Sequence, residues 1–202
     1  MTSGAGQQPP PEPSADGAAV DGKPRIIGIA IGLPSAVEGE VQQVRAELGD
    51  PQADLIIPHV TLLPPTAIPP DELEAVEAHL REVARSFRPF GVRLQGTGTF
   101  RPISDVVFVP LVEGEDECSQ LEGKVRQGPL ARDLRFPYHP HVTLAHDVGD
   151  EAVDAGLEML ADYAAEFTAW GFTLFEQYDD GEWRPQRDFP FATGAPGPQP
   201  SS

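Results

Sequence analysis

The sequence predicts an α+β fold made of two similar lobes, each a small, mostly antiparallel sheet with helices on its outer face. Three observations carry this. Short β-branched runs alternate with stretches whose apolar residues recur at helical spacing. The order of these elements repeats with an offset of about 80 residues, and the pentapeptide PHVTL occurs at 58–62 and again at 140–144. A pseudo-twofold axis between the copies would face His59 and His141 across a cleft between the two sheets.

The first element, RIIGIAIG at 25–32, is a β-branched run short enough for a buried strand. Ser35 and Glu38 stand at capping-box spacing, Val37, Val41, Val44 and Leu48 mark one helical stripe, and Gly49 sits where a C-cap is wanted. Residues 55–63 then form a strand carrying the first PHVTL, which Pro64 and Pro65 should end. A helix beginning at Asp71 aligns Leu73, Val76, Leu80, Val83 and Phe87, leaves His79 off the stripe and exposed, and stops at Pro89. Strands follow near 90–100 and 106–112, joined by a turn with Pro102 and Ser104.

The order then runs again: a helix near 115–127, a strand holding the second PHVTL, and a helix with Val153, Leu157, Leu160 and Ala164 on its inner face. Strands at 168–178 and 182–191 close the chain around Asp179, Asp180 and Gly181, a hairpin-turn sequence. Trp170, Phe172 and Leu174 alternate as one buried sheet face. Residues 1–23 and 192–202 are rich in Gly, Pro, Ser and Ala and should be disordered tails. The folded body is therefore one bilobal domain over 24–191, with internal repeats of about 24–104 and 105–191.

The net charge of −18, from 32 acids against 14 bases, would repel a long polyanion and excludes a broad RNA-coating surface. A small anion in a local positive pocket stays open, because Lys124, Arg126, Arg132 and Arg135 gather before the second motif. The start of the chain has no basic segment followed by an apolar one, and IIGIAIGL is far too short to span a bilayer. The expectation is a cytoplasmic protein without a membrane partner. Cys118, the single cysteine, shares a helical stripe with Leu121 and Val125, which makes it a buried structural thiol and leaves no internal disulfide.

In an extended strand, side chains alternate faces, so His59 and Thr61 share one side about 7 Å apart, and Val60 and Leu62 point to the other. The same holds for His141 and Thr143 against Val142 and Leu144. Two imidazoles with ordinary pKa near 6.5 can divide acid and base work at neutral pH. Threonine hydroxyls are short donors suited to the non-bridging oxygens of a phosphate. Such a clamp around tetrahedral phosphorus needs no metal or other cofactor. Two ordinary buried strands left by a duplication would not explain why His and Thr stay together while their surroundings differ.

Around this quartet, Phe100, Phe136 and Tyr138 are aromatic candidates for base stacking, and Arg135 for a phosphate or ribose contact. His139 shares a strand face with His141 and borders the cleft; with His146 and Asp147 they could form a metal group, although parity puts His146 on the opposite face. No acid or cysteine stands at ligand spacing near His59.

The two HVTL quartets, at 59–62 and 141–144, one per lobe of a duplicated chain, resemble the 2H phosphoesterase superfamily. More closely, they are similar to its RNA 2',3'-cyclic phosphodiesterase branch, also called the 2'-5' RNA ligase family, and the resemblance runs from the first strand to the last hairpin. It implies metal-independent opening of a 2',3'-cyclic phosphate to a 2'-phosphomonoester, with reversible 2'-5' ligation in some members. Under it His59 and His141 are the acid and base, and Thr61 and Thr143 bind the phosphate; by analogy His141 activates water and His59 protonates the leaving 3'-oxygen. The partner it implies is a small nucleotide cyclic phosphate or an RNA 3' end, with no obligate protein partner. The strong acidity departs from what an RNA-end enzyme would prefer. A catalytically silent nucleotide-binding member, and a metal-binding hydrolase using His139 and His141, are the alternative readings.

Overall fold

The computed structural model describes residues 22–193; the expected tails fall at 1–21 and 194–202, outside the described residues, apart from the two or so positions nearest the body. Strand β1 (Arg25–Gly32) sinks Ile27, Ile29 and Ile31 into the core, as its β-branched run dictates. Helix α1 (Ser35–Glu47) buries Val37, Val41 and Val44. Its capping box does not form: Pro34, locked in an extended conformation, takes the cap position, and Ser35 is already helical. The C-terminus follows expectation. Gly49, with φ +70°, and Asp50 donate their amides back to the carbonyls of Ala46 and Arg45, the paired bonds of a Schellman turn.

Strand β2 (His59–Ile68) starts later than the sequence suggested and runs through Pro64 and Pro65 instead of stopping there. Proline is tolerated because the register with β1 passes from Leu63 to Thr66, bulging past both prolines, and because the other edge of β2 is paired only at Val60. Helix α2 (Leu73–Arg85) is followed by β3 (Phe90–Gln95) and the two-residue β4 (Gly98–Thr99). These replace one long expected strand, broken at Gly96, whose φ of +68° suits glycine.

Then come β5 (Val106–Glu113), α3 (Glu115–Val125), β6 (His141–His146) and α4 (Asp150–Met159). His79 is not the exposed residue expected. Its Nε2 lies 3.1 Å from the carbonyls of Lys124 and Val125, so α2 satisfies the end of α3. Cys118 is fully buried in α3, and that burial pushes its thiol up to about 12, which suits a structural role.

The chain ends with β7 (Ala164–Ala169), β8 (Gly171–Gln177) and β9 (Trp183–Pro190), with Gly181 at φ +85° in the hairpin turn. Ala164 therefore belongs to a strand and not to the preceding helix; β7 pairs with β3 along its whole length, and that ladder outweighs the local helical spacing. Trp170 sits at the corner between β7 and β8 and is 64% exposed, so the buried face of β8 starts at Phe172.

All strand pairs are antiparallel, in the order β7-β3-β5-β6-β2-β1-β8-β9 with β4 against β5. Two half-sheets, β9-β8-β1-β2 and β7-β3-β5-β6, meet at the single bridge Val60–Val142. A pseudo-twofold through that bridge maps β1 onto β5 and β2 onto β6. Strands are exchanged between repeats: β3 from the first joins β5, and β8 from the second joins β1.

Helix α1 packs against β6 and α3 against β2, crossing the seam in opposite senses. One core results, with Val60, Leu62, Val142 and Leu144 at most 1% exposed. Each such side chain contributes roughly 1.5–3 kcal/mol. That fixes register, since a one-residue slip of β2 would turn His59 and Thr61 into the core. No helix among the described residues is long and apolar enough to cross a membrane.

Candidate active site

The seam between the half-sheets brings the two motifs together. Antiparallel pairing at Val60–Val142 sets His59 opposite Thr143 and Thr61 opposite His141, all four half-buried on the face away from the core. Each imidazole is then fixed by its own backbone. His59 donates from Nδ1 to the Ile57 carbonyl at 2.8 Å, and His141 from Nδ1 to the His139 carbonyl at 2.6 Å. In both, the acceptor lies two residues back across a proline, Pro58 or Pro140, which restricts the chain so that the carbonyl meets the ring. A proton on Nδ1 leaves the Nε2 lone pair of the neutral ring free for chemistry. On His59 that nitrogen is 3.1 Å from the Thr61 hydroxyl, which donates to it.

The two rings sit in different surroundings. His141 lies against Phe100 and Phe108, each with its ring centroid 5.1 Å away. Burial there holds its pKa down at about 4; the bond to the His139 carbonyl opposes this, and the charges of His139 and His59 reinforce it. His59 is also held below the usual histidine range, first by burial and then by the positive charge of Arg45. Arg45 itself is buried, 2.8 Å from the Asp50 carboxylate, and donates to the Ile56 carbonyl at 2.6 Å. It thereby anchors the loop whose last residues hold His59.

A cavity of about 340 Å³ opens beside His59, Thr61 and Thr143 and extends over β1 to Phe175 and Trp183. His141 and the expected Phe100, Tyr138 and His139 do not line this cavity; Phe100 and His139 pack edge-on to one another beside His141, with centroids 5.7 Å apart. Tyr138 is a strut: its hydroxyl donates to the Thr61 carbonyl at 2.9 Å, satisfying the free edge of β2, and burial suppresses its acidity. Arg135 is exposed, with its guanidinium 5.2 Å from the ring of Phe136, and neither residue lines the cavity. The other expected cations are tied into the scaffold, Lys124 to the Ser86 hydroxyl, Arg126 to Glu122 and Arg132 to the Thr66 hydroxyl.

The sequence reading missed Phe108, Phe175, Trp183 and Arg45, none of which stands near a motif in the chain. It also misplaced His146. The β5–β6 register shifts between Phe108–Thr143 and Val107–Ala145, so Leu144 and Ala145 are both buried. This bulge resets the alternation, and His146 lines the cavity with Thr143, its Nδ1 2.9 Å from the Asp147 carboxylate. Asp147 itself has φ of +56°. Among the described residues no three His, Cys, Asp or Glu side chains converge as a metal group, so the proposed set of His139, His141, His146 and Asp147 does not assemble.

Residues 33–181 match the model of the 2'-5' RNA ligase superfamily. A protein of Bacillus licheniformis, named provisionally as a phosphoesterase, is 31% identical over 136 residues, covering 66% of this chain and 80% of its own. A similarly named protein of Bacillus cytotoxicus is 28% identical over 171 residues, covering 84% and 98%. Among solved structures, E. coli LigT complexed with 3'-AMP superimposes with a TM-score of 0.64 at 20% identity, over 85% of this chain and 100% of that one. LigT complexed with phosphate gives 0.62 at 20% identity, with the same coverage. The sequence match and the shared bilobal fold agree: this chain belongs to the 2'-5' RNA ligase superfamily of 2H phosphoesterases.

Proposed function

We propose that the chain is a phosphodiesterase that opens 2',3'-cyclic phosphates of nucleotides to 2'-phosphates, with His59 and His141 as general acid and base. The observation that carries this reading is the matched pair of imidazoles, each pinned at Nδ1 by the carbonyl two residues back and presenting Nε2 at one seam. That phosphate and 3'-AMP occupy LigT in its solved complexes is in keeping with it.

His141, neutral at pH 7, takes a proton from water on Nε2 as the water oxygen bonds to phosphorus. The bond from phosphorus to the 3'-oxygen breaks, and His59 gives its Nε2 proton to that oxygen. A bound anion supports this division by raising the proton affinity of the ring it touches, against the burial that lowers it. Thr61 and Thr143 donate to the non-bridging oxygens, where charge gathers in the transition state. Neither step draws on a metal.

The test is incubation of the purified protein with a nucleoside 2',3'-cyclic phosphate in EDTA, with the product isomer identified by phosphorus NMR. A 2'-phosphate is expected. A 3'-phosphate, or tight nucleotide binding without turnover, overturns the assignment, the second outcome leaving a silent nucleotide binder. Thr61→Val and Thr143→Val should each cost about 3 kcal/mol or less of transition-state stabilisation. Unchanged kinetics in both would remove the hydroxyls from phosphate binding.

A further inference from the structure

The cavity is lopsided about the seam. Thr143 faces Phe108 across β5 and β6, and Phe108 packs on Phe100 at 4.4 Å, so side chains fill that half. Thr61 faces only Ala30 across β1 and β2, and two residues further along β1 stands Gly28. A Cβ built at Gly28 would lie 3.1 Å from Cζ3 of Trp183, so the indole rests where a side chain would otherwise be. Phe175, paired with Gly28 on β8, lines the cavity beside it. Trp183 is half-buried, and its amide donates to the Leu55 carbonyl at 2.9 Å, tying the last hairpin to the loop that ends at His59.

The cavity thus has a polar end at His59, Thr61 and Thr143 and an aromatic end at Trp183 and Phe175. Along β1 the rows of Ala30 and Gly28 are about 7 Å apart, the scale that separates a ribose phosphate from its own base. The volume of about 340 Å³ lies at the small end of ligand sites and holds one nucleoside unit. Resting on the phosphodiesterase reading above, we propose that Trp183 is the stacking platform for the substrate's nucleobase. The site then takes a single ribonucleoside carrying the cyclic phosphate, its base against the indole. The net charge of −18 works in the same direction, since it opposes a longer phosphate chain.

The chain has two tryptophans, so Trp170→Phe leaves Trp183 as the sole reporter, and Trp170 is exposed and does not line the cavity. Titrating that variant with adenosine 2'-phosphate should quench its fluorescence saturably, whereas ribose 5-phosphate should not. Equal quenching by both, or calorimetric binding of the nucleotide with no quenching, overturns the proposal. In kinetics, Trp183→Ala should raise KM for a nucleoside 2',3'-cyclic phosphate roughly 10- to 100-fold, the range of base–aromatic stacking, with kcat little changed. Trp183→Phe should restore most of it.

Hydrolysis of glycerol 1,2-cyclic phosphate, which has no base, should not respond to Trp183→Ala; an equal loss there would show a structural role instead. If Trp183→Ala does not fold, Gly28→Ala, which crowds the indole, should reproduce the KM effect, and its absence counts against the platform. A parent protein that hydrolyses no cyclic phosphate defeats the phosphodiesterase reading alone, because the fluorescence titration still decides the platform.

Discussion

In the first half-sheet Thr61 faces Ala30 across its strand pair; in the second the matching Thr143 faces Phe108. The backbones around the two threonines are near copies, down to the Nδ1 bond that each preceding histidine makes to a carbonyl two residues back. What packs on them is not copied. His141 has two aromatic rings at 5.1 Å, while His59 has a buried arginine nearby and an open cavity beside it. A pseudo-twofold thus supplies two imidazoles with the same aim, and unequal neighbours make them chemically different. The walled ring suits a base that stays neutral, and the open side suits the substrate.

The strongest way to break this comparison is to delete each ring. Under the proposed acid and base roles, His59→Ala and His141→Ala should each lower turnover at least about 100-fold, since one proton transfer is typically worth 10² to 10⁴. The double variant should be little worse than the poorer single one, since groups acting as a unit are not additive. Full activity in either single variant would take that ring out of the mechanism.

Exchanging the neighbours sharpens the same comparison. Phe108→Ala removes a ring that is 5% exposed and should cost about 3–5 kcal/mol of stability. It also strips an apolar wall from His141, so the pKa of that ring, followed by proton NMR, should climb from about 4 towards the ordinary 6.5. Ala30→Phe does the reverse on the other side, filling the cavity and weakening substrate binding while leaving His141 where it was. A His141 pKa that ignores Phe108→Ala would mean that the wall is not the cause.

Much of this was legible in the sequence because it follows from short-range rules. The β-branched run of β1, the stripe and glycine stop of α1, and the alternation that turns His59 and Thr61 away from Val60 all stand as read. The misses share one physical origin, in that each depends on a partner strand. Pro64 and Pro65 fit inside β2 only because one edge of that strand is nearly free, and Ala164 joins a strand because β3 is there to pair with it. His146 turns to the cavity because of a bulge against β5. Trp183 reaches the site because β8 and β9 join the half-sheet of the first repeat, an exchange that no local pattern encodes.

The smallest expected effect concerns stability, and it separates the walled ring from the rest of the chain. An unfolded histidine takes up a proton near pH 6.5, whereas His141 in the folded chain resists until about pH 4. Between these values the unfolded state binds more protons, so folding stability rises with pH. The contribution of this ring is complete above about pH 6.5 and is lost as pH falls towards 4; for a shift of this size it amounts to at most about 3 kcal/mol. His59, also held low, adds in the same sense. Urea midpoints measured between about pH 4 and pH 7 should therefore climb more steeply in the parent than in His141→Phe, which has no group there to titrate. Carboxylates elsewhere contribute equally to both curves and drop out of their difference, so parallel curves would mean that the aromatic wall leaves the ring as basic as it is in water.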